Sequence, residues 1–480
     1  MKNIKYIVLL SVIFSLPGCS NFLEKAPKLS QSTEITLSDY AGLNKAVAGA
    51  YSPLQSSSWY GASFILDAEM RSGNGRREAD GKFQSNRYVG AYTWNYSADN
   101  TSGLWSFAYY IISAANNVLD NLEGKTSKDV TQQDLDNLKA EALFLRALSH
   151  FDLVLIFAQP YTYKPESLGV PVVLKTDPEG KPARNTVAQV YEQVVKDLLE
   201  AEKVIDPAYK RDVKTTVDAK AVVSVYAIQA LLSRVYLYMG KWQEAANYAT
   251  KVIGSEKFAL WTAEEYPNVW GKNVADAAGE VIFEIYGKKT NGYYGSWEDI
   301  SYMTSPEGYA DCGVSKDVTG LFEAKDVRGT LFRTDKENVS GGLLWTKKYP
   351  GKGDGTPDAN NIIILRLSEM YLNRAEAIMN GAVIPGGITA VSDINAIRSK
   401  RGLDPISSVG REAIKLERRL ELVYEGHYFF DLARWNEPVV RVDFTNTKNQ
   451  NVDFPSDIWA LPIAQREIDV NENLQQNPGY

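Results

Sequence analysis

Apolar residues recur at helical spacing along three early segments of the chain. Residues 104–122 carry one apolar stripe, made up of Leu104, Phe107, Ile111, Ala115, Val118 and Leu122. A stripe with this spacing is typical of an amphipathic helix. Residues 134–157 predict a second helix, and its end, 153–157, is apolar all round and should be buried before Pro160 stops the helix. Residues 186–205 predict a third helix.

Residues 219–254 predict two helices on either side of the turn Gly240-Lys241. Their key positions have the spacing of a tetratricopeptide repeat, namely Leu232, Tyr236, Gly240, Trp242 and Ala245. The small Ala245 lets the second helix approach the first. Residues 362–401 predict a degenerate second helical pair with a longer loop. The predicted fold class is therefore all-α, with tetratricopeptide-like helical hairpins in an α-α superhelix, long inserted loops and a few short strands.

Two long loops interrupt this helical pattern, at about 54–103 and 258–361. Both are rich in Gly, Tyr, Trp, Asn, Asp and Ser. Loops of this length inside a compact protein are usually functional. We expect short strands and helices within them.

The N-terminus has the layout of an export signal. Lys2 and Lys5 precede an apolar run, 6–16, that is too short to span a bilayer. The run ends in Leu16-Pro17-Gly18-Cys19, which resembles a bacterial lipobox. We predict cleavage after residue 18, lipidation of Cys19 and a polar tether; the alternative is an ordinary signal peptide with an incidental cysteine. No later segment approaches 18 consecutive apolar residues.

Charge and composition exclude several classes of function. The net charge of -7 makes the chain a poor nucleic-acid binder, because phosphate binding requires clustered Lys and Arg. The two cysteines, Cys19 and Cys312, are too far apart for a disulfide framework or a CxxC zinc site. The two histidines, His150 and His427, cannot form a His-rich metal site, and we interpret both as packing residues. We expect no cofactor and no bound metal.

Several segments, in order, resemble the SusD/RagB family of outer-membrane nutrient-binding lipoproteins. They are FLEKAP, NNVLDNL, AEALFLRALSHFDLVLIFAQPY, GVPVVL, RLSEMYLNRAEA, INAIRSKRGL, ERRLELVYEGHYFFDLARW and ALPIAQREIDVNENLQQNPGY. The order and joint presence of these segments make the resemblance specific. It covers nearly the whole mature chain. We divide the chain into a signal peptide (1–18), a lipidated tether (19–40), a SusD-like N-terminal part with the first loop (41–255) and a C-terminal part with the second loop (256–480).

The resemblance implies four tetratricopeptide-like helical pairs as a scaffold, with the ligand site on its loops. It also implies that the scaffold packs on a SusC-like, TonB-dependent transporter in the outer membrane of a Bacteroidetes-like bacterium. The ligands expected from the resemblance are oligosaccharides, or peptides in some members, and the members bind without catalysis. The expected partners are thus the transporter, a glycan and the membrane through the N-terminal lipid, with no nucleic acid.

Candidate ligand contacts come from the aromatic residues of the two loops, since flat rings receive sugar faces and polar side chains bind the hydroxyls. The first cluster is Trp59, Tyr60, Tyr88, Tyr92, Trp94 and Tyr96, interleaved with Asp67, Arg71, Arg76, Arg77 and Asn86. The second cluster is Tyr293, Tyr294, Trp297, Tyr302 and Tyr309, with Asp299 and Asp311. The alternative for each single ring is that it packs its loop onto the helices. For the clusters as groups, ligand binding is favoured.

Two acidic groups invite other interpretations. Glu417, Glu421 and Glu425 repeat at helical spacing, which could suggest a glycosidase pair or a cation site. We favour a structural salt-bridge network with Arg418, Arg419 and Arg434. A second group in the Gly-rich loop 351–361 lacks EF-hand spacing and is interpreted as a surface loop; it consists of Asp354, Asp358, Asn360 and Asn361.

Three functions stay open from the sequence. The first is a glycan-binding partner of a transporter, which the aromatic loops favour. The second is a surface glycoside hydrolase, which needs two carboxylates across a cleft. The third is a peptide-capturing or scaffolding subunit, because tetratricopeptide surfaces commonly bind proteins.

Overall fold

A computed structural model of the protein describes residues 36–78, 84–99, 101–211, 219–270, 279–287, 299–334, 342–351, 360–445 and 448–480. Its α-helices are α1 (Tyr40–Tyr51), α2 (Ser63–Ser72), α3 (Val89–Thr93), α4 (Ser102–Leu119), α5 (Gln132–Phe157), α6 (Val187–Val204), α7 (Val225–Tyr238), α8 (Trp242–Ile253), α9 (Ile300–Met303), α10 (Lys316–Thr319), α11 (Leu367–Met379), α12 (Ala390–Lys400), α13 (Arg411–Glu421), α14 (Tyr428–Trp435) and α15 (Gln465–Val470). Its strands are β1 (Gly75–Arg76), β2 (Val281–Ile285), β3 (Gly313–Val314), β4 (Phe332–Arg333), β5 (Trp345–Thr346) and β6 (Ile362–Arg366).

The longer helices form a continuous stack. Helix α1 packs on α4, α4 on α5, α5 on α6 and α6 on α7; the stack continues from α7 to α8, α11, and finally to α12 and α13. This neighbour-to-neighbour arrangement is the architecture of helical-repeat proteins. The all-α fold class is confirmed.

Local sequence signals set the helix ends. Thr131 and Asp134 form a reciprocal capping box at the start of α5, which places this helix start two residues before the apolar pattern begins. Thr186 and Gln189 cap α6 in the same way. The predicted burial at the end of α5 is confirmed: Leu153 and Phe157 are fully buried.

Helices α7 and α8 form the predicted hairpin. Gly240 has φ +68°, a left-handed conformation that favours glycine, and the N–H of Lys241 donates to the Tyr236 carbonyl at 2.9 Å. Ala245 is fully buried, and its carbonyl accepts a hydrogen bond from Ser233 Oγ at 3.0 Å. The small, fully buried Ala245 lets the two helices pack closely, as the repeat spacing predicts.

The predicted second helical pair begins later than the pattern indicates. Residues 362–366 form strand β6, which pairs antiparallel with β2, and the pair of helices is α11 and α12. The sequence prediction of a helix from residue 362 is wrong because a short apolar run does not distinguish a buried strand from a buried helix. Two further two-stranded sheets pair β1 with β3 and β4 with β5.

The first long loop, 54–103, contains α2, β1 and α3, and the second contains short strands and helices, as expected. Much of the first loop belongs to the same hydrophobic core as the helices, including Trp59, Leu66 and Met70. Within the described ranges, no helix is long and apolar enough to cross a membrane.

Candidate functional site

The two predicted binding loops meet at the buried carboxylate of Asp311. Its Oδ1 accepts a hydrogen bond from the Asn86 N–H at 2.9 Å, and its Oδ2 accepts one from the Arg87 N–H at 3.2 Å. The Arg77 guanidinium lies 3.4 Å from Oδ1 and supplies the opposite charge. Gln84 Nε2 donates to the neighbouring Ala310 carbonyl at 2.8 Å. These contacts join residues more than 220 positions apart, so the junction is a tertiary feature of the fold.

The junction presents an aromatic and cationic surface made of Arg87, Tyr302 and Tyr309, which we call the junction surface. The Tyr309 N–H donates to the Tyr302 carbonyl at 2.8 Å, which closes the turn that carries both rings. Their ring centroids are 6.2 Å apart and their planes are inclined at 51°. The Arg87 guanidinium carbon lies 4.0 Å from the Tyr309 centroid. Arg87 is exposed and both tyrosines are half-buried, so the surface can offer ring faces, hydroxyls and a guanidinium to a ligand.

The first aromatic cluster lies mostly in the core. Its members Trp59, Tyr60, Tyr88, Tyr92 and Trp94 are all at least 94% buried. Trp94 packs edge-on against Phe429 and Trp459, with centroids 5.7 and 5.2 Å away. The structure therefore corrects the expectation that these five rings are presented to a ligand: they pack the loop onto the helices, which is the alternative weighed above.

Charged members of the first cluster are also bound within the protein. The Arg71 guanidinium lies 4.5 Å from the Trp94 centroid and 4.0 Å from that of Phe429, and it donates to the Trp459 carbonyl at 2.7 Å. Burial raises the pKa of the Asp67 carboxyl to about 6, although the nearby Arg71 charge opposes the shift. Arg76 pairs with Asp443 at 2.9 Å.

The remaining candidates have four different placements. Tyr96 is half-buried and packs against the core, and burial raises the pKa of its hydroxyl well above the usual value. Tyr302 is on the junction surface. Cys19, Tyr293, Tyr294 and Trp297 lie outside the described residues. Asp299 caps α9 and also accepts a hydrogen bond from Asn360 Nδ2 at 3.0 Å, so it has a structural role.

A buried ion network accounts for the acidic repeat near α13. Glu421 contacts Arg366 and Arg401 at 2.7 Å and Arg328 at 3.1 Å. Glu417 pairs with Arg328 at 2.6 Å, and Glu425 pairs with Arg366 at 2.7 Å. Burial alone would raise the pKa of Glu421, but the charges of Arg401 and Arg366 outweigh it and hold that pKa well below the usual value.

The structural salt-bridge network is thus present, but the predicted partners are wrong. Arg418 and Arg434 both pair with Asp431, at 2.7 and 2.9 Å, and Arg419 donates to Asn74 at 2.9 Å. The true partners of the glutamates are distant in sequence. Closeness in sequence therefore predicted that the glutamates form salt bridges, but it did not identify the arginines that pair with them.

The described residues contain no group of His, Cys, Asp and Glu that could hold a metal ion. Burial lowers the pKa of His150 to about 3, and its Nε2 accepts a hydrogen bond from the Val173 N–H at 3.2 Å. His427 is also buried. Asn360 and Asn361 bond to Asp299 and Glu284, at 3.0 and 2.9 Å. Asp354 and Asp358 lie outside the described ranges.

Sequence reasoning missed Arg87 and a second aromatic feature on α4. Tyr110 has an exposed fraction of 62% and lies off the apolar stripe of α4. An aromatic residue on the polar face of an amphipathic helix can be identified from the sequence as an exposed ring. Arg87 could not be identified in this way, because it lies over Tyr309 only where the two loops meet at Asp311.

Comparison with known proteins agrees with this architecture. A family model described as "Starch-binding associating with outer membrane" matches residues 21–237, and the SusD family model matches residues 336–480. This chain belongs to the SusD family.

Relatives match over almost the full length. A SusD superfamily protein from Bacteroides thetaiotaomicron is 32% identical, with a TM-score of 0.80, covering 92% of this chain and 100% of the other. A Bacteroides vulgatus protein that has been assigned as a sugar binding protein is 31% identical, with a TM-score of 0.81 and coverages of 92% and 99%. SusD-like protein P2 of Formosa agariphila is 26% identical over 529 residues, covering 100% of both chains.

Proposed function

We propose that this chain is a cell-surface lipoprotein that captures oligosaccharide or polysaccharide and delivers it, without catalysis, to a SusC-like TonB-dependent transporter in the outer membrane. The observation that carries the proposal is the junction surface, where two long loops bring Tyr302, Tyr309 and Arg87 together. Sugar rings pack on aromatic faces, and their hydroxyls exchange hydrogen bonds with tyrosine and guanidinium groups.

Attachment and partnership rest on family membership together with the N-terminal sequence. The matching family model describes association with the outer membrane. The segment Leu16-Pro17-Gly18-Cys19 fits lipidation of Cys19 after cleavage of residues 1–18. Acyl chains contribute about 0.8 kcal/mol for each buried methylene, so a multiply acylated cysteine would hold the protein at the membrane. The division into a tether (19–40) and two parts (41–255 and 256–480) stays a prediction.

The absence of catalysis is supported by the placement of the acidic repeat. A glycosidase needs two carboxyl groups that face a cleft on either side of the scissile bond. Glu417, Glu421 and Glu425 are buried and ion-paired with arginines or Lys348. Glu425 lines a cavity of about 20 Å³, which is too small for a sugar. A peptide-capturing subunit of the same kind of transporter is the alternative that the helical scaffold leaves open.

The test is a binding measurement on the junction surface. We expect the double variant Tyr302→Ala/Tyr309→Ala to lose about 2 kcal/mol of glycan binding free energy, because each packed ring contributes about 1 kcal/mol. Retardation in affinity gels containing soluble starch, laminarin or a wider polysaccharide panel would measure the change. Tyr163→Ala is the matched control, since Tyr163 is also a partly exposed tyrosine (42%) but packs on Phe454 away from the junction.

Three outcomes separate the functions. Equal retardation of the double variant and the control would refute a role for the junction surface. Release of new reducing ends from any polysaccharide would favour the hydrolase. Binding of peptides but of no glycan in the panel would favour the peptide-capturing subunit.

A further inference from the structure

A separate concave site lies along helix α4 and consists entirely of described residues. It is an open groove of about 930 Å³ between α4, the segment 171–182 and helix α15. We call it the α4 groove. Its volume falls within the range of about 300–1,000 Å³ that is typical of small-molecule sites. None of the residues that form it belongs to the junction surface, so its function is a separate question.

One wall of the α4 groove is aromatic. Of the aromatic side chains that the structure describes, Tyr110 has the largest exposed fraction, 62%. Tyr109 is half-buried beside it and packs on Trp105, with ring centroids 4.9 Å apart. A single exposed ring is ordinary on a protein surface. Here the exposed ring lines a groove whose less exposed apolar residues, which we call its floor, are Val172, Val173 and Leu474.

Hydrogen bonds between protein groups connect the three walls of the groove. The Tyr109 hydroxyl donates to the Pro171 carbonyl at 2.9 Å, and Asn116 Nδ2 donates to the Val173 carbonyl at 3.0 Å. At the other edge, Asn471 Nδ2 donates to the Pro182 carbonyl at 3.0 Å, and Asn473 Nδ2 donates to the Lys181 carbonyl at 2.8 Å. The segment 171–182 is thus tied to α4 at one end and to the residues after α15 at the other. A site that is already formed avoids part of the ordering cost of binding.

The polar rim determines which ligand fits. Three carboxylates and one ammonium line it; they are Asp177, Glu179, Glu467 and Lys181. Glu467 pairs with Arg466 at 3.1 Å, and Lys181 lies 3.8 Å from Glu472. With these two partners included, the rim has a formal charge of −2 near neutral pH. Ionised carboxylates are acceptors, which match the hydroxyl donors of a sugar, whereas they repel sulfate, phosphate or uronate groups. Apolar floor, exposed ring and acceptor-rich rim together match the amphipathic faces of an uncharged sugar chain.

We propose that the α4 groove is an additional saccharide-binding site, which takes a segment of a neutral oligosaccharide with one sugar ring on Tyr110. This inference rests on the proposed glycan-binding function and extends it. A chain bound at both the junction surface and the α4 groove would be held by two contacts, and a second contact raises retention of a long polymer more than that of a short fragment.

The experiment compares Tyr110→Ala with Tyr163→Ala, which removes a partly exposed ring outside the groove. Each substitution is made in the otherwise unchanged mature chain and in the Tyr302→Ala/Tyr309→Ala background. A glycan array with neutral and anionic members first identifies a ligand, and affinity gels then measure retention. We expect Tyr110→Ala to weaken retention of the neutral ligand about five-fold in both backgrounds, as the loss of one packed ring predicts. Tyr163→Ala should leave retention unchanged.

A second readout reports on the groove itself. Amide hydrogen exchange of residues 171–182 should slow when the neutral ligand is added to the wild-type chain, and it should not slow in Tyr110→Ala. If wild type and Tyr110→Ala bind glycan equally and exchange is unaffected, the α4 groove inference is overturned while the proposed function stands. Selective binding of anionic glycans, or of basic peptides, at 171–182 would also overturn it. Retention of no glycan by any variant would overturn the inference and the proposed function together.

Discussion

The buried ion network around Glu421 allows a quantitative test of how the structure is stabilised. The substitution Glu421→Gln keeps the size of the side chain and removes one charge. In the native chain, Glu421 contacts three guanidinium groups, those of Arg328, Arg366 and Arg401, all within 3.1 Å and all at most 1% exposed. These cations keep other carboxylate partners, but the local charge becomes more positive by one unit in the buried interior.

The expected magnitude follows from the cost of an uncompensated buried charge. Removing one partner of a buried pair costs about 3–5 kcal/mol, because the remaining charge stays desolvated. With an unfolding entropy of about 2 cal/mol/K per residue, a chain of 480 residues has a total near 1 kcal/mol/K, so the loss corresponds to about 3–5 °C in Tm. Calorimetry and urea titrations of the mature chain at pH 7 measure both quantities.

Glu412→Gln is the matched control. Glu412 lies on the same helix and pairs with Lys415 at 3.1 Å, but its side chain is 83% exposed. Exposed pairs contribute about 0–1 kcal/mol, so Tm should change by less than about 1 °C. A Glu421→Gln variant that melts within 1 °C of this control would show that the network carries no net stabilisation from Glu421, and the reasoning above would be refuted.

Two further predictions concern buried residues of the core. Trp94→Ala should destabilise the fold by about 3–5 kcal/mol, because it removes a large buried ring that packs edge-on against both Phe429 and Trp459; an unchanged Tm together with weaker glycan retention would instead show a ligand contact. Burial raises the pKa of Asp152 from 3.8 to about 8 in the folded chain, so the folded state holds a proton that the unfolded state lacks between these values, and stability falls as pH rises. Asp152→Asn, which can still accept the Tyr60 hydrogen bond, should therefore raise Tm relative to wild type more at pH 8 than at pH 4; an equal difference at both pH values in thermal melts would contradict the shift.

Local periodicity predicted the longer helices well. Helix α4 was expected at 104–122 and spans Ser102–Leu119, and α5 was expected at 134–157 and spans Gln132–Phe157. These elements have many residues in phase, and each buries one face on its neighbour in sequence. Strand β6 was misassigned because its five residues, IIILR, form too short a run to show a period.

Aromatic content was a weaker guide to the candidate site. Trp94 contacts Trp459, which is 365 positions further along the chain. A local sequence pattern cannot predict a contact between residues so far apart. A loop rich in tyrosine and tryptophan can turn those rings inward wherever the helices leave apolar surface to cover. From the sequence, packing was the alternative for each single ring, and ligand binding was favoured for the clusters as groups. No local signal separates rings that face the core from rings that face solvent.

A buried polar residue, Asp311, determines where the two loops meet. Asp311 is fully buried, yet it binds two backbone N–H groups and the guanidinium of Arg77. A buried carboxylate without such partners would cost several kcal/mol, so its presence constrains the two loops to meet at one place. The position of Tyr302 and Tyr309 follows from that constraint. The proposed ligand surface therefore depends as much on this buried acid as on the two half-buried rings.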